Sequence, residues 1–261
     1  MRVVVKIGGA ALDDKVTARN CAQAIASLMD CGHQVAVVHG GGAALTRTLK
    51  LMGKESQFVD GLRVTDAETR DVALMVLAGS VNKGLVAEMA RTGHPALGIS
   101  GADGFTFRAR QKKSASVDFG YVGEICATEQ RWIQVIWDAG AIPVICSMAL
   151  GNDGQYYNVN ADQMAAACAA SCHANALIFL TDVPGVKDAA GSVIRWLDVK
   201  HIAGMVKDSV VGGGMLPKLD ACQQALRQGV QRVRILPASC VDLLPDFYVA
   251  KIDHGTEVIA A

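Results

Sequence analysis

Lys6 lies inside an aliphatic run, Val3-Val4-Val5-Lys6-Ile7, and is followed at once by Gly8-Gly9. A lysine in such a strand must reach the strand end or pair with a buried charge, because a lone ammonium is costly to desolvate. Two further glycine corners, Gly40-Gly41-Gly42 and Gly212-Gly213-Gly214, adjoin apolar runs, and each leads into a helical pattern. Lys218 follows the last of them across Met215-Leu216-Pro217. Glycine at a strand-to-helix corner lets backbone N–H groups approach an anion beside the positive end of a helix. One such corner is an ordinary tight turn. Three in one chain, two with a nearby lysine, point to phosphate. Cations and N–H donors around a transferring group are what phosphoryl transfer asks of a protein.

Other polar residues stand at informative places. Asn158, Asn160 and Asp162 alternate just before an uncharged helical stretch. They read equally as an Asx turn with Asp162 in the first helical turn, or as a carboxylate orienting the two lysines beside an Asn158 that binds substrate. Asp182 ends an apolar run, at the strand end where parallel α/β sheets bind ligands. Arg63 is either a bidentate clamp for a carboxylate or an exposed arginine. His39 has no second histidine or acid at ligand spacing and reads as a packed, hydrogen-bonded side chain. Arg108–Lys113 carries four basic residues, a solvated face or a lid near a phosphate-bearing substrate.

Several chemistries are excluded. The chain has no G-x-x-x-x-G-K-[ST], no G-x-G-x-x-G, no G-x-S-x-G and no H-E-x-x-H, and Asp118-Phe119-Gly120 lacks its protein-kinase partners. With 25 basic against 25 acidic residues the net charge is zero, which argues against a nucleic-acid partner. The eight cysteines include no C-x-x-C pair and read as buried thiols of a reducing cytoplasm; no metal site is expected. Gln163–Thr181 carries no formal charge, but its alanines, Ser171, His173 and Asn175 indicate a buried helix and strand and not a membrane span.

Aliphatic runs alternate with helical patterns to position these groups. Strands are expected at Val3–Ile7, Val35–Val38, Ala96–Ile99, Ile142–Cys146, Leu177–Leu180 and Val233–Leu236, with Thr106–Arg110 and Tyr121–Ile125 as a half-exposed hairpin. Thr65-Asp66-Ala67-Glu68 has capping-box form and opens a helix running to about Ala90. At 261 residues such alternation predicts an α/β chain with a mainly parallel sheet covered on both faces. The weakest seam falls near Ala174.

The ordered series Lys6-Ile7-Gly8-Gly9, Val38-His39-Gly40-Gly41-Gly42, Gly61-Leu62-Arg63-Val64-Thr65-Asp66, Val81-Asn82-Lys83, Gly98-Ile99-Ser100-Gly101, Gly120-Tyr121-Val122-Gly123, Asn158-Val159-Asn160-Ala161-Asp162, Thr181-Asp182-Val183-Pro184-Gly185 and Gly213-Gly214-Met215-Leu216-Pro217-Lys218 spans nearly the whole chain. It resembles the amino acid kinase family, most closely the branch acting on N-acetyl-L-glutamate. The resemblance implies a three-layer sandwich around a mainly parallel open sheet, the carbamate kinase-like fold. It also implies transfer of the ATP γ-phosphoryl group to the side-chain carboxylate of N-acetyl-L-glutamate, with magnesium carried by the nucleotide. In that family Lys6 and Lys218 match residues that stabilise the phosphoryl group, and Asp162 the residue that organises them. Gly8, Gly9 and Gly41 match N–H donors. Gly41, Gly42, Arg63 and Asn158 fall on the acetylglutamate side. Lys6, Gly8, Gly9, Asp182, Gly185, Gly213 and Lys218 fall on the nucleotide side.

The resemblance further implies an acetylglutamate-binding lobe with a dimer interface over residues 1–174 and a nucleotide lobe over residues 175–261. Because the chain opens directly on its first strand, it is similar to the arginine-insensitive, homodimeric, cytoplasmic type. The sibling kinase acting on carrier-linked aminoadipate or glutamate alters the third glycine and the Asn-Ala-Asp motif, both intact here. A non-catalytic nucleotide-binding protein would not need Lys6, Asp162 and Lys218 together.

Overall fold

Valine at 3, 4 and 5 with Ile7 makes a segment apolar on both faces, which suits a strand covered from both sides. In the computed structural model, which describes residues 1–246 and 253–260, this segment is the central strand Arg2–Ile7. It belongs to one eight-stranded sheet. The spatial order is Trp196–Asp198, Thr256–Ile259, Arg232–Pro237, Ala176–Thr181, Arg2–Ile7, Gln34–His39, Ile142–Cys146, Ala96–Ile99. Neighbours run parallel except Thr256–Ile259 against Arg232–Pro237. Strands from before residue 174 form one half of the sheet and those from after it the other. Helices cover both faces, completing the expected three-layer sandwich.

Side chains alternate across a strand, and this decides where Lys6 goes. Val3, Val5 and Ile7 pack on the face covered by helices Lys15–Asp30 and Asn82–Ala90. Val4 packs on the opposite face, under helices Ala161–Ser171 and Met215–Arg227. Lys6 shares Val4's face. Helix Ala161–Ser171 carries buried alanines at 165, 166, 167 and 169, whose small side chains let it lie close to its neighbours. The Asn160 side chain caps it, accepting from the N–H groups of Asp162 and Gln163. The Asx turn therefore exists, and it fixes Asp162 in the first helical turn.

The uncharged stretch is this short helix followed by the fully buried strand Ala176–Thr181. Among the described residues one helical segment, 67–90, is long and apolar enough to cross a membrane. Here it packs as a core helix, with Val72, Leu77, Leu85 and Met89 buried. All eight cysteines are free thiols, and five of them are buried.

Three local features differ from expectation. Thr65 does not cap the following helix. Asp66 does, accepting from Thr69 N–H, as the stronger capping residue one position later. Thr65 is instead buried, its hydroxyl donating to the Arg63 carbonyl and its backbone bridged to Gly120. The helix running to Ala90 is not uniform, because a π-helical stretch, Leu74–Val81, interrupts it. The expected hairpin, Phe107–Gln111 with Val122–Thr128, is joined by the short strands Met148–Gly151 and Tyr156–Val159 into a closed four-stranded barrel.

Candidate active site

Lys6 Nζ lies 2.9 Å from Asp162 Oδ1, and Lys218 Nζ lies 3.0 Å from Asp162 Oδ2 and 3.1 Å from Oδ1. The three come from the central strand and from two helices on one face of the sheet, and all are buried. Two ammonium groups on one carboxylate leave a buried positive charge uncompensated. Burial opposes ionisation of Asp162, but Lys6 and Lys218 outweigh it and hold its carboxyl at about 2. Burial also pulls Lys6 below its ordinary 10.5; Asp162 works against this, Lys218 adds to it, and Asp182 lies near enough to favour the charged form. An incoming anion relieves the excess charge, so the geometry is that of an anion receptor.

Around this triad the glycine corners meet. A β-carbon on Gly9 would lie 3.1 Å from Gly42 N and 3.5 Å from Gly41 Cα, so the two corners approach closely and glycine at 9 spares them a tight contact. Helices Gly9–Asp13, Gly42–Leu51 and Ala161–Ser171 all begin at one cavity of about 200 Å³ lined by Lys6, Gly9, Gly41, Gly42, Arg63, Asn158 and Asp162. Gly8 is placed differently. Its N–H donates to the Leu180 carbonyl at 2.9 Å, and it does not line the cavity. Gly8 thus ties the Lys6 strand to its neighbour and does not offer a free donor.

Arg63 forms the far wall. Its guanidinium donates to Gly42 O (2.9 Å), Thr46 Oγ1 (2.7 Å) and Ser56 Oγ, and stacks 4.6 Å from the Phe58 ring centroid. It is buried, yet among the described residues no carboxylate pairs with it. Burial rules out the exposed-arginine reading. Asn158 Nδ2 donates to Thr65 Oγ1 at 3.3 Å, which steadies its amide against the cavity.

A second cavity of about 480 Å³ lies at the carboxyl ends of strands Ala176–Thr181 and Arg232–Pro237, lined by Asp182, Pro184, Arg195, Ser239, Asp253 and His254 among others. Asp182 faces it. Gly185 and Gly213 line neither cavity. Gly185 allows a close approach instead, since a β-carbon there would meet Val193 Cγ1 at 2.7 Å. Gly213, at φ +56, belongs to the turn ahead of the Lys218 helix and beside Gly61. Of the basic run, Arg108 donates to Asn152, and Arg110 and Lys112 pair with Glu124, so this face is partly neutralised.

Phe58, Leu62, Val122, Ser147 and Leu77 also line the first cavity. Apolar or single hydroxyl side chains such as these carry no spacing signal in the sequence. His39 is buried and hydrogen-bonded, as expected.

The family model described as "Amino acid kinase family" matches residues 1–237. The acetylglutamate kinase of Acidobacterium capsulatum is 59% identical over all of both chains. That of Koribacter versatilis is 52% identical over 100% of this chain and 99% of its own. Among solved structures, the N-acetylglutamate synthase of Neisseria gonorrhoeae complexed with coenzyme A and N-acetyl-glutamate superposes with a TM-score of 0.86 at 25% identity, over 98% of this chain and 59% of its own. Carbamate kinase from Giardia lamblia bound to AMP-PNP shares the fold, with a TM-score of 0.69 at 16% identity over 100% of this chain and 98% of its own.

The depressed Asp162 carboxyl makes stability depend on pH in the acid range. Its contribution is fully present above the ordinary value of 3.8 and is lost as pH falls through about 2. The unfolding free energy of wild type relative to Asp162→Asn, from urea titrations, should shrink by about 1 kcal/mol by pH 3 and about 2 kcal/mol by pH 2. A gap independent of pH would show that the carboxylate is not held by the lysines.

Proposed function

The chain belongs to the amino acid kinase family, and from that premise we propose that it transfers the γ-phosphoryl group of ATP to the side-chain carboxylate of N-acetyl-L-glutamate. The product is N-acetyl-L-glutamyl 5-phosphate, a step of arginine biosynthesis. The observation that carries this reading is the Lys6–Asp162–Lys218 triad beside Gly41 in a cavity walled by Arg63.

The acceptor carboxylate is ionised at neutral pH, so no proton has to be removed before it attacks. This agrees with the cavity's composition: Lys6, Arg63 and Asp162 are its titratable side chains among the described residues. Asp162 is held ionised with both oxygens on lysines and is a poor base. A carboxylate oxygen forms the new bond to the γ-phosphorus as the bond to the β,γ-bridging oxygen breaks, and ADP departs with that electron pair. Lys6 and Lys218 stabilise the negative charge that shifts in this step, and the N–H groups of Gly9 and Gly41 add donors. Arg63 holds the acceptor's other carboxylate, with Gly42 and Asn158 beside it. Among the described residues no three His, Cys, Asp or Glu side chains gather to hold a metal. A magnesium ion brought on the ATP phosphates would neutralise further phosphate charge.

Residues 1–174 form the acetylglutamate lobe in this account and residues 175–261 the nucleotide lobe. The division is supported by the two halves of the sheet and by the second cavity at Asp182. Gly185 and Gly213 act there through backbone shape. The free thiols support a cytoplasmic location. The strand Ala96–Ile99 ends the sheet with exposed Leu97, a surface two copies can share as a homodimer.

A coupled ADP-release assay with free N-acetyl-L-glutamate should give turnover. Turnover only with carrier-linked aminoadipate or glutamate would replace this acceptor, and nucleotide binding without turnover on any of them would remove the catalytic reading. In the same assay Arg63→Lys should raise KM for acetylglutamate by about 10- to 100-fold while sparing that for ATP; Asp182→Asn should do the reverse. Light scattering should return twice the chain mass of 27.4 kDa, and a monomeric mass would reject the dimer.

A further inference from the structure

His39 ends the strand Gln34–His39, is wholly buried, and has no part in the transfer described above. Its ring sits between Asn82 and Gly40. Asn82 Nδ2 is 3.0 Å from His39 Nε2, and His39 Nδ1 is 2.7 Å from the Gly40 carbonyl oxygen. The partners decide which ring nitrogen carries the proton. Asn82 Nδ2 is also 2.9 Å from the Val144 carbonyl, which can only accept, so the amide atom facing both groups is the NH₂. His39 Nε2 therefore accepts, and Nδ1–H donates to Gly40. Burial pushes the ring's pKa down to about 4, so it stays neutral at physiological pH.

The Gly40 carbonyl and the Gly41 N–H belong to one planar trans peptide and point in opposite directions. Fixing the oxygen fixes the N–H. Among the described residues Gly41 N–H has no acceptor within the protein, and Gly41 lines the cavity with Lys6 and Asp162. Leu77 and Val81 crowd the Gly41 α-carbon. A β-carbon there would come 2.7 Å from Leu77 Cδ2 and 3.2 Å from Val81 Cγ2.

Both residues belong to the π-helical stretch, and Asn82 follows it directly. In a regular α-helix Asn82 would stand about 140° around the axis from Leu77. Bonding from i to i+5 places more residues in each turn and swings Asn82 towards the face of Leu77 and Val81. The irregular helix thus brings to one corner a group that holds His39 and two groups that pack on Gly41.

We infer that His39 is a positioning residue for phosphoryl transfer: held by Asn82, it anchors the Gly40–Gly41 peptide so that Gly41 N–H faces the transferring group. The inference rests on the phosphoryl-transfer reading and deepens it. Asparagine places an amide N–H near His39 Nδ1, whereas glutamine places one near Nε2. His39→Gln should lower kcat about 10- to 100-fold with KM for ATP nearly unchanged, and His39→Asn should recover most of the loss. Equal losses in both variants, no loss in either, or a loss confined to KM would overturn the inference.

Nitrogen-15 NMR of the wild-type protein tests the same arrangement without any variant. The His39 proton is expected on Nδ1, and finding it on Nε2 would overturn the inference. The two readings fail separately. Wild-type protein that turns over no acceptor removes phosphoryl transfer, whereas the ring proton and the asparagine–glutamine contrast concern His39 alone.

Discussion

Two ammonium groups are buried within 3.1 Å of one carboxylate, and the arrangement holds only while that carboxylate is present and ionised. Without Asp162 the two lysines would face each other in a low-dielectric interior, where like charges and unpaired ions are both expensive. The fold around the triad reads as a means of enforcing it. Strand alternation sends Lys6 to one face of the sheet. An alanine-rich helix capped by Asn160 lies close enough on that face to present Asp162. A second helix, opening after the Gly212–Gly214 corner, brings Lys218 to the other carboxylate oxygen.

The site's charge is local. The chain as a whole is neutral, with a sequence pI of about 7.0. Its buried charged side chains among the described residues are Lys6, Arg63, Asp162, Lys218 and Arg234. Four of these five line or adjoin one cavity, with three positive charges against one negative. Arg234 is the exception, paired with Glu257 at 2.9 Å on the far half of the sheet. A substrate pair carrying phosphates and carboxylates supplies the missing negative charge, so the site is neutralised by what it binds.

Much of this was legible in the order of residues, for physical reasons that differ by position. Lys6 announces itself because a charge within a valine run has few places to go. The parallel sheet follows from buried runs alternating with amphipathic helices. Asp162 was ambiguous because capping geometry and ion pairing use the same local pattern, and the structure contains both. The short strands Met148–Gly151 and Tyr156–Val159 are not legible there, since four residues carry little periodicity and their barrel is closed by distant pairings. Gly8 matched a motif, but its N–H is used in holding strands together, which only tertiary structure reveals. The π-helical stretch and the burial of Arg63 likewise depend on neighbours far along the chain.

The shared carboxylate holds Lys6 and Lys218 for the moment of transfer and not merely for binding nucleotide. Single-turnover phosphoryl transfer, measured beside the ATP dissociation constant in Lys6→Ala and Lys218→Ala, tests it most directly. Each variant should lose about 10²- to 10⁴-fold in transfer rate while ATP affinity changes less than about tenfold. Losses of equal size in rate and in affinity would contradict the account and make the lysines simple nucleotide anchors.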